Sequence, residues 1–241
     1  MQLLSIYRDS HYHEYSVYLR PYVPGGPYLK ALIVGDSRLW RLPSSFWDKC
    51  EANEITVIAQ RGGRIHDLLP RALDKVVPFR NTFYSVKICC GVNDVLSGVS
   101  PSHIIQEFRR FRGHVLNIDP GVMVSFAQIY PIDHEAMPEH SRTRIHGDPA
   151  RVNDRLERLN GLVLNDVRRA LFSPYDRPPA VPKLNHAVVC GRGSRRNGVN
   201  ALVRSRLVDG LHGDSLCNRK VVLSLVAAIN TDIATFRRFD Q

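Results

Sequence analysis

The chain has 241 residues, of which 44% are hydrophobic and 23% charged, a length and composition that suit one α/β domain with a well-buried core. No apolar run is long enough to span a bilayer, and the opening eight residues lack the charged-then-apolar layout of a secretory leader, so the expectation is an intracellular protein, cytoplasmic or nuclear. Five cysteines, an odd number without metal-ligand spacing, fit a reducing compartment; the formal net charge of +10 permits an acidic partner, either nucleic acid or an anionic membrane surface, with a merely solubilising surface as the plainer account.

Residues 1–28 are set apart by tyrosines and histidines (Tyr7, His11, Tyr12, His13, Tyr15, Tyr18, Tyr22) and by the turn-rich run Pro21-Tyr22-Val23-Pro24-Gly25-Gly26-Pro27. They are expected to be a flexible or extended N-terminal segment, with a short strand around residues 14–19, ahead of a domain over 29–241. His11 and His13 have no cysteine or carboxylate cluster beside them, so no metal site is assigned.

Residues 31–34, Ala-Leu-Ile-Val, read as a strand covered on both faces. Gly35 ends it in a turn, and Asp36 and Ser37 suit the first turn of a helix expected within 39–48. Ser37 would then stand at the carboxyl end of a strand, where open α/β sheets bind ligands, and at a helix N-terminus that favours negative charge. Taken alone, it is no more than a helix cap. A second strand over 55–60 ends at the pair Gly62-Gly63, where a backbone N–H can approach a ligand closely, and a helix over 66–72 follows. A third strand over 86–90 leads into Gly91-Val92-Asn93-Asp94. The Asn93 amide can donate a hydrogen bond without carrying charge, which suits a transient oxyanion, while Asn93-Asp94 also reads as an Asx turn or cap. Cys89 and Cys90 fall on alternate faces of this strand and read as small buried hydrophobes.

An amphipathic helix is expected over 102–116, with Ile104, Ile105 and Phe108 inward and Arg109, Arg110 and Arg112 outward, either solvated or touching phosphates. Residues 121–129 supply a fourth core strand. The long polar loop over 130–153, with His134, His140 and His146, belongs at the rim of a site and should influence access to it. A helix over 152–172 carries the stripe Leu156, Leu159, Val163, Val167 and Leu171, with Asn153-Asp154 as its cap. The proline-rich stretch 173–182 is a rim loop, and 187–190 a last short strand. The basic loop over 191–198 lacks the Gly-Lys-Ser/Thr ending of a phosphate loop; it either holds an anionic substrate or nucleic acid or is simply mobile. In Leu207-Val208-Asp209-Gly210-Leu211-His212, Gly210 permits a bend that folds the Asp209 carboxylate onto one ring nitrogen of His212, leaving the other to accept a proton. A final helix covers 220–236.

In this order, the blocks Gly-Asp-Ser, Gly, Gly-x-Asn-Asp and Asp-Gly-x-His resemble those of the SGNH (GDSL-type) hydrolases, and the resemblance runs from about Leu29 to about Phe236. It implies a three-layer α/β/α flavodoxin-like sandwich with a mostly parallel central sheet, and serine ester hydrolysis of a small ester or acylated substrate without metal or organic cofactor. It implies Ser37 as nucleophile, His212 as general base and Asp209 as the carboxylate that orients it. The implied oxyanion hole comprises the backbone N–H groups of Ser37 and Gly63 and the side chain of Asn93, with Gly62 replacing Gly63 if that block aligns one residue earlier. The chain departs from the pattern after His212, where Gly213-Asp214-Ser215 sets a second carboxylate, Asp214, in competition with Asp209. The α/β-hydrolase elbow Gly-x-Ser-x-Gly is not met, because position 39 is leucine. The basic charge, the absence of a leader and the loose motif spacing carry a weaker likeness to SGNH-type domains encoded in animal retrotransposons. That likeness implies an accessory domain associated with nucleic acid or membrane, with weak or no esterase activity. Nothing in the sequence sets the oligomeric state.

Overall fold

The computed structural model describes residues 2–40, 42, 44–76, 82–169, 178–184, 207–209 and 211–239. The strand expected over 187–190, the basic loop 191–198, Leu171 and Gly210 lie outside these residues.

Six strands hydrogen-bond into one sheet: β1 (Gln2–Arg8), β2 (Tyr12–Tyr18), β3 (Tyr28–Asp36), β4 (Glu54–Gln60), β5 (Thr82–Cys89) and β6 (Met123–Phe126), in the order β1-β2-β4-β3-β5-β6. The four strands β4, β3, β5 and β6 are parallel. Their apolar runs are covered on both faces, as buried parallel strands require. Along β3, Leu32 and Val34 pack into one core and Ala31 and Ile33 into another, so successive side chains feed opposite layers. The first core is closed by α1 (Ile65–Leu73), α2 (Val92–Leu96), α3 (Pro101–Ile118) and α5 (Val152–Arg169). The second is closed by the 3₁₀ turn Ser44–Lys49, with Trp47 wholly buried, and by α6 (Ser215–Phe239). A short α4 (Glu139–Arg142) lies in the connection after β6. The result is the expected three-layer α/β/α arrangement with a mostly parallel sheet. Among the described residues no helix is long and apolar enough to cross a membrane.

The tyrosine- and histidine-rich segment, expected to be flexible or extended with a short strand around 14–19, supplies two strands of this sheet. β1 and β2 form an antiparallel hairpin, and β2 runs antiparallel to β4 from Tyr12 opposite Gln60 to Tyr18 opposite Glu54. The Asp9 carboxylate accepts the N–H groups of His11 (2.7 Å) and Tyr12 (2.6 Å), which turns the hairpin. Tyr15 and Val17 join the second core, and the Ser16 and Thr56 hydroxyls meet at 2.9 Å between β2 and β4.

Four helix-borne polar side chains serve structure in ways the pattern of residues did not suggest. Asp166 on α5 receives Arg109 and Arg112 from α3, each at 2.6 Å, so these arginines brace two helices. Asn153 does not cap α5; its amide grips both the N–H and the carbonyl of Ile132, at 2.9 Å each. Asn160, two turns on, holds the N–H and carbonyl of Ile129 at 2.7 Å each. Deepest of all, Asp232 on α6 meets Lys87 of β5 at 2.6 Å with both side chains sealed from solvent.

The chain leaves β3 towards β4 on one side and reaches β5 and β6 on the other, so the strand order reverses between β3 and β5. The crevice beyond the carboxyl ends of β3, β4 and β5 is where such sheets bind ligands.

Candidate active site

Ser37 follows β3 directly, but no α-helix begins there. The Asp36 carboxylate accepts the Arg38 N–H (3.0 Å), the Asp36 carbonyl accepts the Leu39 N–H (3.0 Å) and the Ser37 carbonyl accepts the Trp40 N–H (3.2 Å). Successive tight turns follow Ser37, the helix expected within 39–48 is the later 3₁₀ turn Ser44–Lys49, and Ser37 is held by turn hydrogen bonds rather than by a helix dipole. Gly35 is required by close approach: a Cβ there would stand 2.5 Å from the Cys89 carbonyl of β5 and 2.6 Å from the Leu39 side chain. Asp36 is buried, which pushes its carboxyl up despite the opposing field of Arg38. The Arg38 guanidinium lies 4.1 Å from the centroid of the Tyr130 ring and donates to the Tyr130 carbonyl at 3.3 Å.

His212 Nε2 lies 2.9 Å from Ser37 Oγ. Its Nδ1 faces the Asp209 carboxylate at 2.8 and 3.0 Å. The same carboxylate accepts the backbone N–H groups of His212 (2.8 Å) and Leu211 (3.2 Å), and the Val208 N–H reaches back to the His212 carbonyl at 2.8 Å. The segment is therefore a closed turn that aims one ring. Burial alone would raise the Asp209 carboxyl, but the hydrogen bonds from the His212 ring and backbone outweigh it and hold it below its ordinary value. An ionised Asp209 accepts the hydrogen bond from Nδ1–H, which keeps the proton on Nδ1 and leaves Nε2 as acceptor toward the serine hydroxyl. Asp214 does not compete for the ring: its carboxylate accepts the Cys217 N–H at 2.6 Å and its carbonyl the Asn218 N–H at 2.9 Å, at the start of α6.

The glycine pair divides its work. Gly62 takes a left-handed conformation (φ +64°) and lines the cavity in front of Ser37. The Gly63 N–H closes a turn on the Gln60 carbonyl at 3.1 Å, while its own carbonyl receives Asn93 Nδ2 at 3.0 Å. One N–H of the Asn93 amide is thus spent on fixing its plane, and the second remains, on a residue that lines the same cavity. Gly91, at φ +118°, makes the left-handed turn from β5 into α2. The next carboxylate, Asp94, is buried and accepts the Ile65 N–H at 3.2 Å, which fastens α2 to the first residue of α1. Burial raises its carboxyl despite that bond.

Ser37, His212, Asn93 and Gly62 open on one cavity of about 350 Å³, also lined by Trp40, Arg61, His140, Ser141, Arg144 and Leu211. The rim position expected for the loop over 130–153 is occupied, with His140, Ser141 and Arg144 all at the cavity. Arg61, Arg64 and Arg144 escaped the reading of the sequence; the arginines flanking Gly62-Gly63 were the available sign, since residues beside a ligand-facing turn face the ligand too. The described cysteines Cys50, Cys89, Cys90 and Cys217 are all buried. Among the described residues, no group of histidine, cysteine and carboxylate side chains is placed to hold a metal.

No protein-family model and no curated protein sequence matches the chain. Solved structures do. A Streptococcus pneumonia protein assigned provisionally as a platelet activating factor aligns with a TM-score of 0.61 at 15% identity, over 86% of this chain and 85% of that one. A member of the lipolytic G-D-S-L family from Veillonella parvula aligns at 0.56 and 11% identity, over 83% and 97%. A carbohydrate esterase of family 3 from Talaromyces cellulolyticus aligns at 0.53 and 14%, over 86% and 97%.

Proposed function

The chain has the SGNH-hydrolase fold, and on that premise we propose that it is a serine ester hydrolase with Ser37 as its nucleophile. The observation that carries this reading is the unbroken relay Ser37 Oγ–His212 Nε2 (2.9 Å) and His212 Nδ1–Asp209 (2.8 Å), opening on a cavity that also holds an oriented amide. His212 Nε2 takes the hydroxyl proton as Ser37 Oγ attacks the ester carbonyl. Negative charge then grows on the carbonyl oxygen. The remaining N–H of Asn93 and the backbone N–H groups of Ser37 and Gly62 are its donors, with Gly63 contributing by anchoring Asn93. The tetrahedral species collapses, the alcohol leaves with the proton from His212, and an acyl group stays on Ser37. Water, deprotonated by the same nitrogen, repeats the sequence and frees the acid. The similarity of fold to a lipolytic protein and a carbohydrate esterase supports ester chemistry and leaves the acyl group open.

The test is hydrolysis of short-chain p-nitrophenyl esters by the purified chain beside Ser37→Ala. Turnover in the parent with none in the variant is the expected result. Equal rates in the two proteins would overturn the reading.

A further inference from the structure

Beside the cavity that holds Ser37 lies a second, of about 380 Å³, lined by Arg64, Leu96, Ser97, Met137 and His146. The two share the wall formed by Gly62, Asn93, Ser141, Arg144 and Leu211. They are two lobes of one cleft, and Asn93 stands between them. Three arginines, all exposed to solvent, line this cleft: Arg61 in the serine lobe, Arg64 in the second lobe and Arg144 in both. Among the described residues, no carboxylate lines either lobe. Elsewhere several cations are neutralised: Arg109 and Arg112 share Asp166, Lys87 meets Asp232, Lys75 meets Glu14, and Arg237 meets Glu51, while the buried Arg38 lies over the Tyr130 ring. Among the described residues, Arg61, Arg64 and Arg144 have no such partner. The buried Asp94, whose field reaches Arg64, is committed to the Ile65 N–H. Nor is Arg61 left loose, since its head group lies 4.8 Å from the centroid of the Trp40 ring. Positive charge gathered in a concave site attracts anions, and guanidinium groups match the paired oxygens of phosphate and carboxylate.

We propose that the ester this site hydrolyses carries an anionic group, a phosphate or a carboxylate, and that Arg64 and Arg144 hold it in the second lobe while Ser37 attacks the ester carbonyl in the first. This rests on the esterase reading above. The lobe also presents the Ser141 hydroxyl and the His146 imidazole, whereas the Ser97 hydroxyl is committed to the Asn93 carbonyl at 2.7 Å. The anion sits across Asn93 from the nucleophile, which fixes the substrate in one direction along the cleft and makes charge, rather than chain length alone, the property selected.

Two measurements test this. The first compares kcat/KM for neutral p-nitrophenyl acetate and for the mono-p-nitrophenyl ester of succinate, which carries a free carboxylate, in the parent and in Arg64→Gln and Arg144→Gln. Preference for the anionic ester is expected, and each exposed arginine replaced should reduce the ratio by about tenfold or more, as for a charged hydrogen bond. The second titrates inorganic phosphate into the Ser37→Ala protein and follows backbone amide resonances. Shifts confined to the second lobe, and lost in Arg64→Gln/Arg144→Gln, are expected. Phosphatidylglycerol vesicles at matched phosphate concentration identify the source: competition by free phosphate assigns a small soluble ester, and competition by vesicles alone assigns a lipid head group. A ratio near one with no response to phosphate or vesicles overturns the proposal. If neither ester shows Ser37-dependent turnover, the esterase reading fails and the substrate assignment with it, and the phosphate and vesicle titrations decide only whether Arg64 and Arg144 bind an anion.

Discussion

Among the described residues, two clusters of side chains bring a serine hydroxyl, a carboxylate and a basic nitrogen within hydrogen-bond reach. One is Ser37, Asp209 and His212. The other joins Lys87 and Ser85 of β5, Ser125 of β6 and Asp232 of α6: the lysine ammonium meets Asp232 (2.6 Å), Ser125 (2.9 Å) and the Ala180 carbonyl (2.8 Å), and Asp232 also accepts Ser85 (2.8 Å) and the Ala180 N–H (2.8 Å). Chemically they are alike. They differ in access and in what is left unspent. The second cluster is exposed to 1% or less at every member, and all three ammonium protons are used. It ties the segment around Ala180 and α6 to the sheet and has no room for a reactant. The first keeps a histidine nitrogen aimed at a hydroxyl on a cavity wall, beside an amide with a donor to spare. A list of residue types within bonding distance would rank the two equally, but only one opens on a cavity.

The comparison is most sharply broken by removing the base. His212→Ala is expected to reduce ester turnover on the order of 10⁴–10⁶-fold while leaving thermal unfolding nearly unchanged, because the ring is partly exposed and holds no element together. Lys87→Met should do the reverse. It leaves the Asp232 carboxylate buried without its cation and costs about 3–5 kcal/mol in denaturant unfolding, whereas adding Asp232→Leu should recover most of that loss. The rate per folded molecule should hold in both. If Lys87→Met abolishes turnover in a protein that remains folded, the structural assignment of that cluster is wrong. Asn93→Ala should lower turnover by roughly 10²–10³ through loss of an oxyanion donor, measured as kcat with the same ester. The smallest effect is in acid. Asp209 is held below its ordinary value, so its contribution to stability is complete above about pH 4 and is lost as pH falls through the lowered value. Asp209→Asn should therefore flatten the acid limb of the unfolding midpoint against pH.

How far the sequence could be read follows the same division. Ser37, Asn93, Asp209 and His212 were legible because each is announced by backbone chemistry: an apolar run broken by glycine, or a carboxylate within one turn of a histidine. The choice between Gly62 and Gly63 was not, since it depends on which N–H the turn at Gln60 consumes. Lys87 was hidden inside an apolar strand, and its partner Asp232 lies 145 residues away, beyond any local pattern. The hairpin over β1 and β2 was obscured by an unusual composition, although its aromatic residues favour strands and Asp9 marks its turn. The arginines of the cleft were visible only as charge, because the loop over 130–153 brings Arg144 to Gly62 by packing rather than by spacing.

The most direct measurement is covalent labelling with a fluorophosphonate, followed by peptide mass mapping. An activated serine at the end of β3 predicts a single adduct on Ser37, absent in Ser37→Ala and strongly slowed in His212→Ala, with Ser85 and Ser125 unmodified. A folded protein that takes up no label at Ser37, or one labelled equally fast without His212, would contradict it.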